Sequence, residues 1–395
     1  MNDPVLVLNC GSSSIKFGLF DTASTPLARQ AAWQGKVEGI TGASPTFSES
    51  GQAAQALLLD SAQPYHDALA HIAQRVQAVL NGRPLLAVAH RVVHGGSRYA
   101  RPVRVDATVL ADLRGYIPLA PLHQPFALEA IETLLTQQPG LPQVACFDTA
   151  FHHTLPVVEQ LLPLPWDAWE RGLRRYGFHG LSYEYQSIAL AERHGDLARG
   201  RTLVAHLGSG ASLCGMQNLQ STATTMGFSA LDGLMMGTRC GALDPGAVLY
   251  LMEVEQLSVD QVGHMLYHQS GLQGISGLSP DPRVLLQHEA AEPRAHQALA
   301  LYVRRIVKEI GAITAALGGL DMLVFTAGIG EHNAVIRQRI CEALGYLGVH
   351  IDREANAAHA PVLSLPSSSV RVAIEPTNEE WVAARHALAL VRPGA

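Results

Sequence analysis

Cysteine is scarce in this 395-residue chain. The five present, Cys10, Cys146, Cys214, Cys240 and Cys341, are odd in number, far apart and never spaced C-x-x-C. That usage excludes a disulfide framework and fits reduced, structural thiols. The 18 histidines include no H-E-x-x-H, and the adjacent pair His152 and His153 would point apart in a strand, so a zinc- or thiol-dependent hydrolase has no ligand spacing to rest on. No apolar run approaches the ~20 residues that span a bilayer. The start, MNDPVLVLN, shows no basic segment ahead of an apolar stretch, and a cytoplasmic protein without a membrane partner is the expectation. Charge is sparse as well, with 16% Asp, Glu, Lys and Arg and a net charge of −6. No run of Lys or Arg forms a nucleic-acid surface, so local cations must meet any anionic ligand.

What is abundant points to a layered α/β protein: 48% hydrophobic residues, 36 Gly and 22 Pro. The length exceeds what one core usually supports, and two domains follow. Leu69, Ile72, Val76 and Val79 lie at helical spacing ahead of LLAVAH, a buried strand at 85–90. Leu299, Val303, Ile306, Ile310 and Ile313 form a second helix face, ended by Gly318-Gly319 before the strand DMLVFTAG. One design occurs twice. VLVLNCGSSSIKFGLFD and TLVAHLGSGASLCGMQ are each an apolar strand, a tight Gly/Ser turn and a second apolar strand. Backbone N–H groups of such turns can cradle phosphate, and two copies suggest two lobes gripping one nucleotide. Neither G-x-x-x-x-G-K-[ST] nor G-x-G-x-x-G at a helix start occurs in them, which argues against a P-loop or a dinucleotide fingerprint. A boundary after CFDTA divides the chain into 1–150 and 151–379, with a last helix from about Glu379 to Val391 returning so that 380–395 joins the first lobe.

The strings that carry chemistry stand where strands should end: HRVVHGG, CFDTAFHHT, YGFHG and MMGTRCGALDPG. In open α/β sheets, ligands gather at such ends. Asn9, Ser12, Ser14 and Lys16 crowd the first turn, and Lys16 places a cation before its N–H groups. Arg91 suits a two-pronged grip on a carboxylate or phosphate; its bland alternative is a surface ion pair. Asp148 could orient a nucleophile or hold a metal's water, and could equally cap a turn. His179 beside Gly180, with Arg174-Arg175 upstream, and Arg239 in a Gly-flanked loop suit a phosphoryl group in transit. SGLSPDPR and FTAGIGEHN let backbone approach a nucleotide closely. Thr377 and Glu380 read as a capping box, leaving Glu379 for Mg²⁺.

Together, NCGSSSIKF, HRVVHGG, APLH, FDTAFH, RRYGFHG, HLGSGAS, GLMMGTR, DPG, SGLQGISG, FTAGIGE and PTNEE resemble the acetate kinase family over nearly the whole chain. The resemblance implies two duplicated ribonuclease-H-like lobes of the actin-like ATPase superfamily with an interdomain nucleotide cleft. It also implies a homodimer and reversible transfer of the ATP γ-phosphoryl to acetate with Mg²⁺, for which Mn²⁺ could substitute. Carried over residue by residue, it places Asp148, His179 and Arg239 in catalysis and gives Asn9 and Glu379 to the metal. Arg91, Val93, Leu122, His123 and Phe178 fall to acetate, and Ser12, Ser14 and Lys16 to the phosphates. His206, Leu207, Gly208, Ser209, Gly210, Asp281, Pro282, Arg283, Gly328, Ile329, Gly330, Glu331 and His332 fall to ATP or ADP.

The chain departs from the family wording. Ser209 replaces Asn in HLGNG, Gln124 replaces Asn after PLH, GLSYEY replaces GTSH, His332 replaces Asn after GIGE, and Ala230 replaces the Pro of GFTPLEG. Val93 favours a two-carbon acid while Ala230 removes volume from the same wall. A propionate or other short-chain acyl kinase is therefore the alternative within the class. An actin- or chaperone-like ATP-binding module is the alternative outside it, though such a module has no use for HRVVHGG, APLH and YGFHG.

Overall fold

The computed structural model describes residues 3–121 and 123–392. It divides into two compact units, Met1–Ala150 with Asn378–Ala395, and Phe151–Thr377.

The first unit is built on β1 (Val5–Cys10), β2 (Ser14–Phe20), β3 (Trp33–Glu38), β4 (Thr46–Glu49), β5 (Gln55–Ala56), β6 (Ala87–Val92), β7 (Val103–Arg104) and β8 (Gln143–Phe147), in the order β5-β4-β3-β2-β1-β6-β8-β7. β1, β2 and β3 run antiparallel in succession, whereas β6 and β8 run parallel with β1. β1 is apolar at every position but Asn9, as a strand covered on both faces must be. Leu6 and Leu8 pack with the helix Pro64–Leu80, and the last helix, Glu379–Val391, lies against β1, β6 and β8.

The second unit holds β9 (Thr202–Leu207), β10 (Ala211–Gln217), β11 (Gln220–Thr224), β12 (Met322–Thr326) and β13 (Arg371–Ile374), ordered β11-β10-β9-β12-β13. Its directions match β3-β2-β1-β6-β8 strand for strand: two antiparallel pairs, then two parallel ones. This duplicated plan is the ribonuclease-H-like, actin-like ATPase fold. Both repeated hairpins close as tight turns. The Gly11 amide donates to the Ser14 carbonyl at 2.8 Å and the Gly208 amide to the Gly210 carbonyl at 3.1 Å. The helix Pro293–Leu317 buries Leu299, Val303, Ile306, Ile310 and Ile313 and stops at Gly318 in left-handed backbone. It crosses β10 at Gly215, where a Cβ would stand 2.6 Å from Ile313 Cγ2.

Two local expectations are corrected. The helix Pro64–Leu80 buries Tyr65, Ala68, Ile72, Val76 and Leu80, while Val79 is exposed, because the stripe steps by four from Val76. The last helix is capped by Asn378, whose Oδ1 accepts from the Trp381 amide at 3.0 Å, and not by a Thr377–Glu380 box. Asn378 Nδ2 also donates to the Arg29 carbonyl and Trp381 Nε1 to that of Leu27, so the cap ties the helix start to the first unit. No helix among the described residues is long and apolar enough to cross a membrane.

Candidate active site

In the first unit, three parallel strands deliver polar groups at one level. Asn9 of β1 faces Arg91 of β6 in register, Arg91 faces Cys146 of β8, and Asp148 follows β8 by one residue. The Arg91 fork engages the Asp148 carboxylate through Nε at 2.9 Å and Nη2 at 2.6 Å, the bidentate geometry that favours Arg over Lys. Nη1 reaches Asn9 Oδ1 at 3.3 Å and Glu379 Oε2 at 3.5 Å. Burial opposes the charge on Arg91, yet Asp148, Glu379 and Glu380 hold its pKa above the ordinary value. Burial and the neighbouring Glu379 in turn raise the Glu380 pKa, partly offset by Lys16 and Arg91. The Asp148 carboxylate is thus an ion-pair partner of Arg91. Ser12 and Lys16 are exposed on the adjoining hairpin, with Lys16 facing Asn9 in register.

Val93 is buried just past β6. The loop after it is held by a residue absent from the predicted set. Gln124, fully buried at the start of the helix Gln124–Gln137, accepts from the His94 amide at 3.1 Å and donates to the His94 carbonyl at 3.0 Å. Its extra methylene relative to Asn lets one amide bracket both backbone groups. His123 sits at the N-cap of that helix, and Leu122 lies outside the described residues.

In the second unit, His179 precedes the helix Gly180–His194 in left-handed backbone, φ 59°. Its Nδ1 lies 2.8 Å from Ser212 Oγ of β10, and its ring stacks on His206 of β9 at 4.2 Å between centroids. Arg239 is anchored through Nη1 to the Ala230 carbonyl at 2.7 Å, and burial lowers its pKa. The other ends of both side chains meet at the second Gly/Ser turn: a Cβ on Gly210 would stand 3.1 Å from His179 Nε2 and 3.2 Å from Arg239 Nη2. Gly210→Ala should therefore lower kcat about tenfold or more by displacing one of the two, with a thermal melt close to wild type. An unchanged kcat would show that this convergence does not matter to turnover.

Beside the turn lies a pocket of about 460 Å³ lined by the predicted Gly208, Ser209, Asp281, Pro282, Arg283, Gly328, Ile329 and His332, joined by Gly237, Thr238, Pro280 and Asn333. Asp281 caps the helix Pro282–His288 and pairs with the Arg283 guanidinium at 2.6 Å, a contact that lowers its pKa. Several predicted residues serve the pocket only indirectly. Leu207 is buried in the sheet and offers only backbone. Glu331 turns back to accept from the Ala327 amide at 2.8 Å and the Thr377 amide at 3.3 Å. Phe178, which the resemblance gives to acetate and not to this pocket, is buried, its carbonyl 2.9 Å from His152 Nε2. Arg174 stacks on Trp169 and Arg175 donates to the carbonyls of Thr224, Thr225 and Met226, so neither joins the cationic cluster.

The pocket loop also depends on Arg337, fully buried, whose guanidinium donates to the carbonyls of Gly330 and Glu331 and to both oxygens of Asn356. Burial lowers its pKa to about 10. The visible signal was an Arg inside the stripe Ile336, Arg337, Ile340, Cys341.

The sequence profile of the acetokinase family matches residues 4–385. The chain belongs to the acetokinase family. It is accordingly an enzyme, a kinase, and the reading as a nucleotide-binding module without chemistry falls away. Within the family it is 48% identical over 400 residues to a protein of Rhodopseudomonas palustris (strain ATCC BAA-98 / CGA009) named acetate kinase, covering 100% of each chain. The crystal structure of Porphyromonas gingivalis acetate kinase matches with a TM-score of 0.87 at 34% identity, over 99% of this chain and 100% of that one. A propionate kinase from Francisella tularensis subsp. tularensis SCHU S4 gives the same TM-score and identity, over 97% and 98%.

Proposed function

We propose that this acetokinase-family chain transfers the γ-phosphoryl of ATP to acetate, forming acetyl phosphate and ADP. The observation that carries the reading is the Arg91 fork, set among Asp148, Asn9 and Glu379 at the ends of three parallel strands and followed directly by buried Val92 and Val93. A guanidinium beside a small apolar wall suits a short carboxylate with an alkyl tail. Asp148 fixes the plane of the fork. An acetate oxygen attacks the γ-phosphorus, and the new O–P bond forms as the bond to the ADP oxygen breaks. No residue serves as a covalent carrier of the phosphoryl. Charge gathering on the equatorial oxygens is met by Arg239 and His179 and by the 208–210 backbone. The adenosine end rests in the pocket beside that turn.

The donor set near Arg91 also suits Mg²⁺. Asn9, Glu379 and the neighbouring Glu380 offer hard oxygen ligands, and burial together with the adjoining Glu379 raises the Glu380 pKa, a cost that a nearby divalent cation would offset. Among the described residues no group of three or more His, Cys, Asp or Glu is placed to hold a metal ion, so these residues would supply only part of a shell that Mg²⁺ commonly completes with waters and phosphate oxygens. When bound, Mg²⁺ would neutralise phosphate charge. Asn9 and Glu379 would hold it.

The equal likeness to a propionate kinase keeps a second acid in play. Discrimination per methylene is only about 1–3 kcal/mol. A hydroxamate assay with acetate, propionate and butyrate in parallel decides: highest kcat/KM with acetate is expected, a propionate preference would assign the longer acid, and no acyl phosphate from any acid would overturn the reading. For a homodimer, the support is the helix Pro245–Glu253, none of whose residues is buried, with Leu249, Tyr250 and the adjoining Val254 exposed. Light scattering should give twice the chain mass, and a monomer would remove that reading.

A further inference from the structure

We infer that Tyr183 and Ser212 form a proton-ordered relay that holds His179 as a neutral imidazole with its hydrogen on Nε2, the atom facing the Gly208–Gly210 turn. Three groups stand in series. The Tyr183 hydroxyl lies 2.5 Å from Ser212 Oγ, and Ser212 Oγ lies 2.8 Å from His179 Nδ1. Tyr183 and Ser212 are both fully buried. Burial holds the Tyr183 pKa well above the ordinary phenol value, so the oxygen carries its proton. That proton can be satisfied by Ser212 Oγ. With the Ser212 proton directed along the line to His179 Nδ1, that nitrogen is the acceptor and the ring hydrogen resides on Nε2. In the reverse order Nδ1 donates to Ser212 and Ser212 to the phenol oxygen, which strands the phenol proton in the core.

The surroundings disfavour imidazolium independently of the relay. His179 caps the positive end of a 15-residue helix. His206 stacks on it at 4.2 Å, with its own Nδ1 2.8 Å from Ser182 Oγ. Arg239 Nη2 approaches the same face of the Gly210 turn. Around Tyr183 stand Cys214, whose field raises the phenol pKa further, and the edge of His152 at 5.5 Å between centroids. A second cation at His179 would oppose Arg239, whereas a neutral N–H adds a donor without repulsion. Tyr183 and Ser212 are thus positioning residues. Tyr183 stands where the GTSH wording of the resemblance has His, so the phenol of this relay is a departure of this chain from that wording.

The functional weight of the relay rests on the reading of His179 as a hydrogen-bond donor to the phosphoryl in transit, and the test separates the two. The full chain is labelled with ¹⁵N-histidine, the His179 signal is assigned by its loss in His179→Gln, and tautomer and titration are followed by NMR. The wild type should show the Nε2–H tautomer at neutral pH. In Tyr183→Phe, Ser212 is released to accept from the ring, the Nδ1–H form should appear, and kcat should fall about tenfold, with a new inflection as pH falls toward the ordinary histidine pKa of about 6.5. A wild-type ring that is charged or protonated on Nδ1 overturns the relay, as does a Tyr183→Phe spectrum and pH profile identical to wild type. The Nε2–H spectrum together with full kcat in His179→Gln supports the relay and overturns the role of His179 at the phosphoryl. The wild-type spectrum decides even if a variant folds poorly.

Discussion

Arg239→Ala should cut kcat by about 10³-fold or more while leaving the acetate KM within a few-fold, since a guanidinium that stabilises a phosphoryl in transit contributes roughly 10³–10⁵ to turnover. The geometry supports an effect concentrated in the transition state. One nitrogen of Arg239 is committed to the Ala230 carbonyl at 2.7 Å, and the other is held at the turn where His179 Nε2 also arrives. Such a fork is already oriented when charge spreads over the equatorial oxygens. Burial that lowers the Arg239 pKa also means that its field is poorly screened by solvent. Arg239→Lys should recover only part of the rate, because a single ammonium cannot bond Ala230 and reach the turn together. Steady-state rates with acetate and ATP varied separately check this. A kcat within tenfold of wild type in Arg239→Ala would remove Arg239 from the chemistry.

Much of the fold could be read because its signals are local. The two hairpins announce themselves through apolar runs around Gly/Ser turns, and the long helix through Leu299 to Ile313, with Gly318 in the left-handed backbone that ends it. The site was legible by residue type and not by contact. Asn9, Arg91 and Asp148 are brought level by strand register between segments far apart in sequence, and no periodicity encodes that register. For the same reason the string around Asp148 leaves a cap and an acid equally open, and its pairing with Arg91 cannot be read from it. Glu331 falls to the nucleotide only through the family resemblance, and its carboxylate is engaged by the Ala327 and Thr377 amides. Thr377 lost the cap to Asn378 one residue later, a shift that only the backbone entering the helix decides. Arg337 carries no signal of a role beyond its place in a buried stripe, and Gln124 stands out only as a departure from the Asn of the family wording, because a buried polar side chain resembles any other in sequence. What distinguishes them is the carbonyl and amide groups they satisfy.

Arg91→Ala should raise the acetate KM about 100-fold with a smaller change in kcat, the reverse of the Arg239 pattern. Truncating one side of a buried, hydrogen-bonded charge contact costs about 2–5 kcal/mol, and a tenfold change in binding corresponds to about 1.4 kcal/mol. A part of that loss will appear as instability. The Asp148 side chain is only 3% exposed, and without Arg91 its carboxylate stays in the interior stripped of both fork hydrogen bonds. Breaking such a pair from one side typically costs about 3–5 kcal/mol of folding free energy. Binding and stability can be separated by removing both sides of the fork: Arg91→Ala/Asp148→Ala should regain part of the Tm lost by Arg91→Ala, because the Asp148 carboxylate no longer sits in the interior without its fork, yet should bind acetate no better. Recovery of acetate affinity in the double variant would show that Arg91 acts only by neutralising Asp148. A single variant as stable as wild type, with unaltered acetate KM, would mean that the fork neither holds the carboxylate substrate nor supports the strand ends around it.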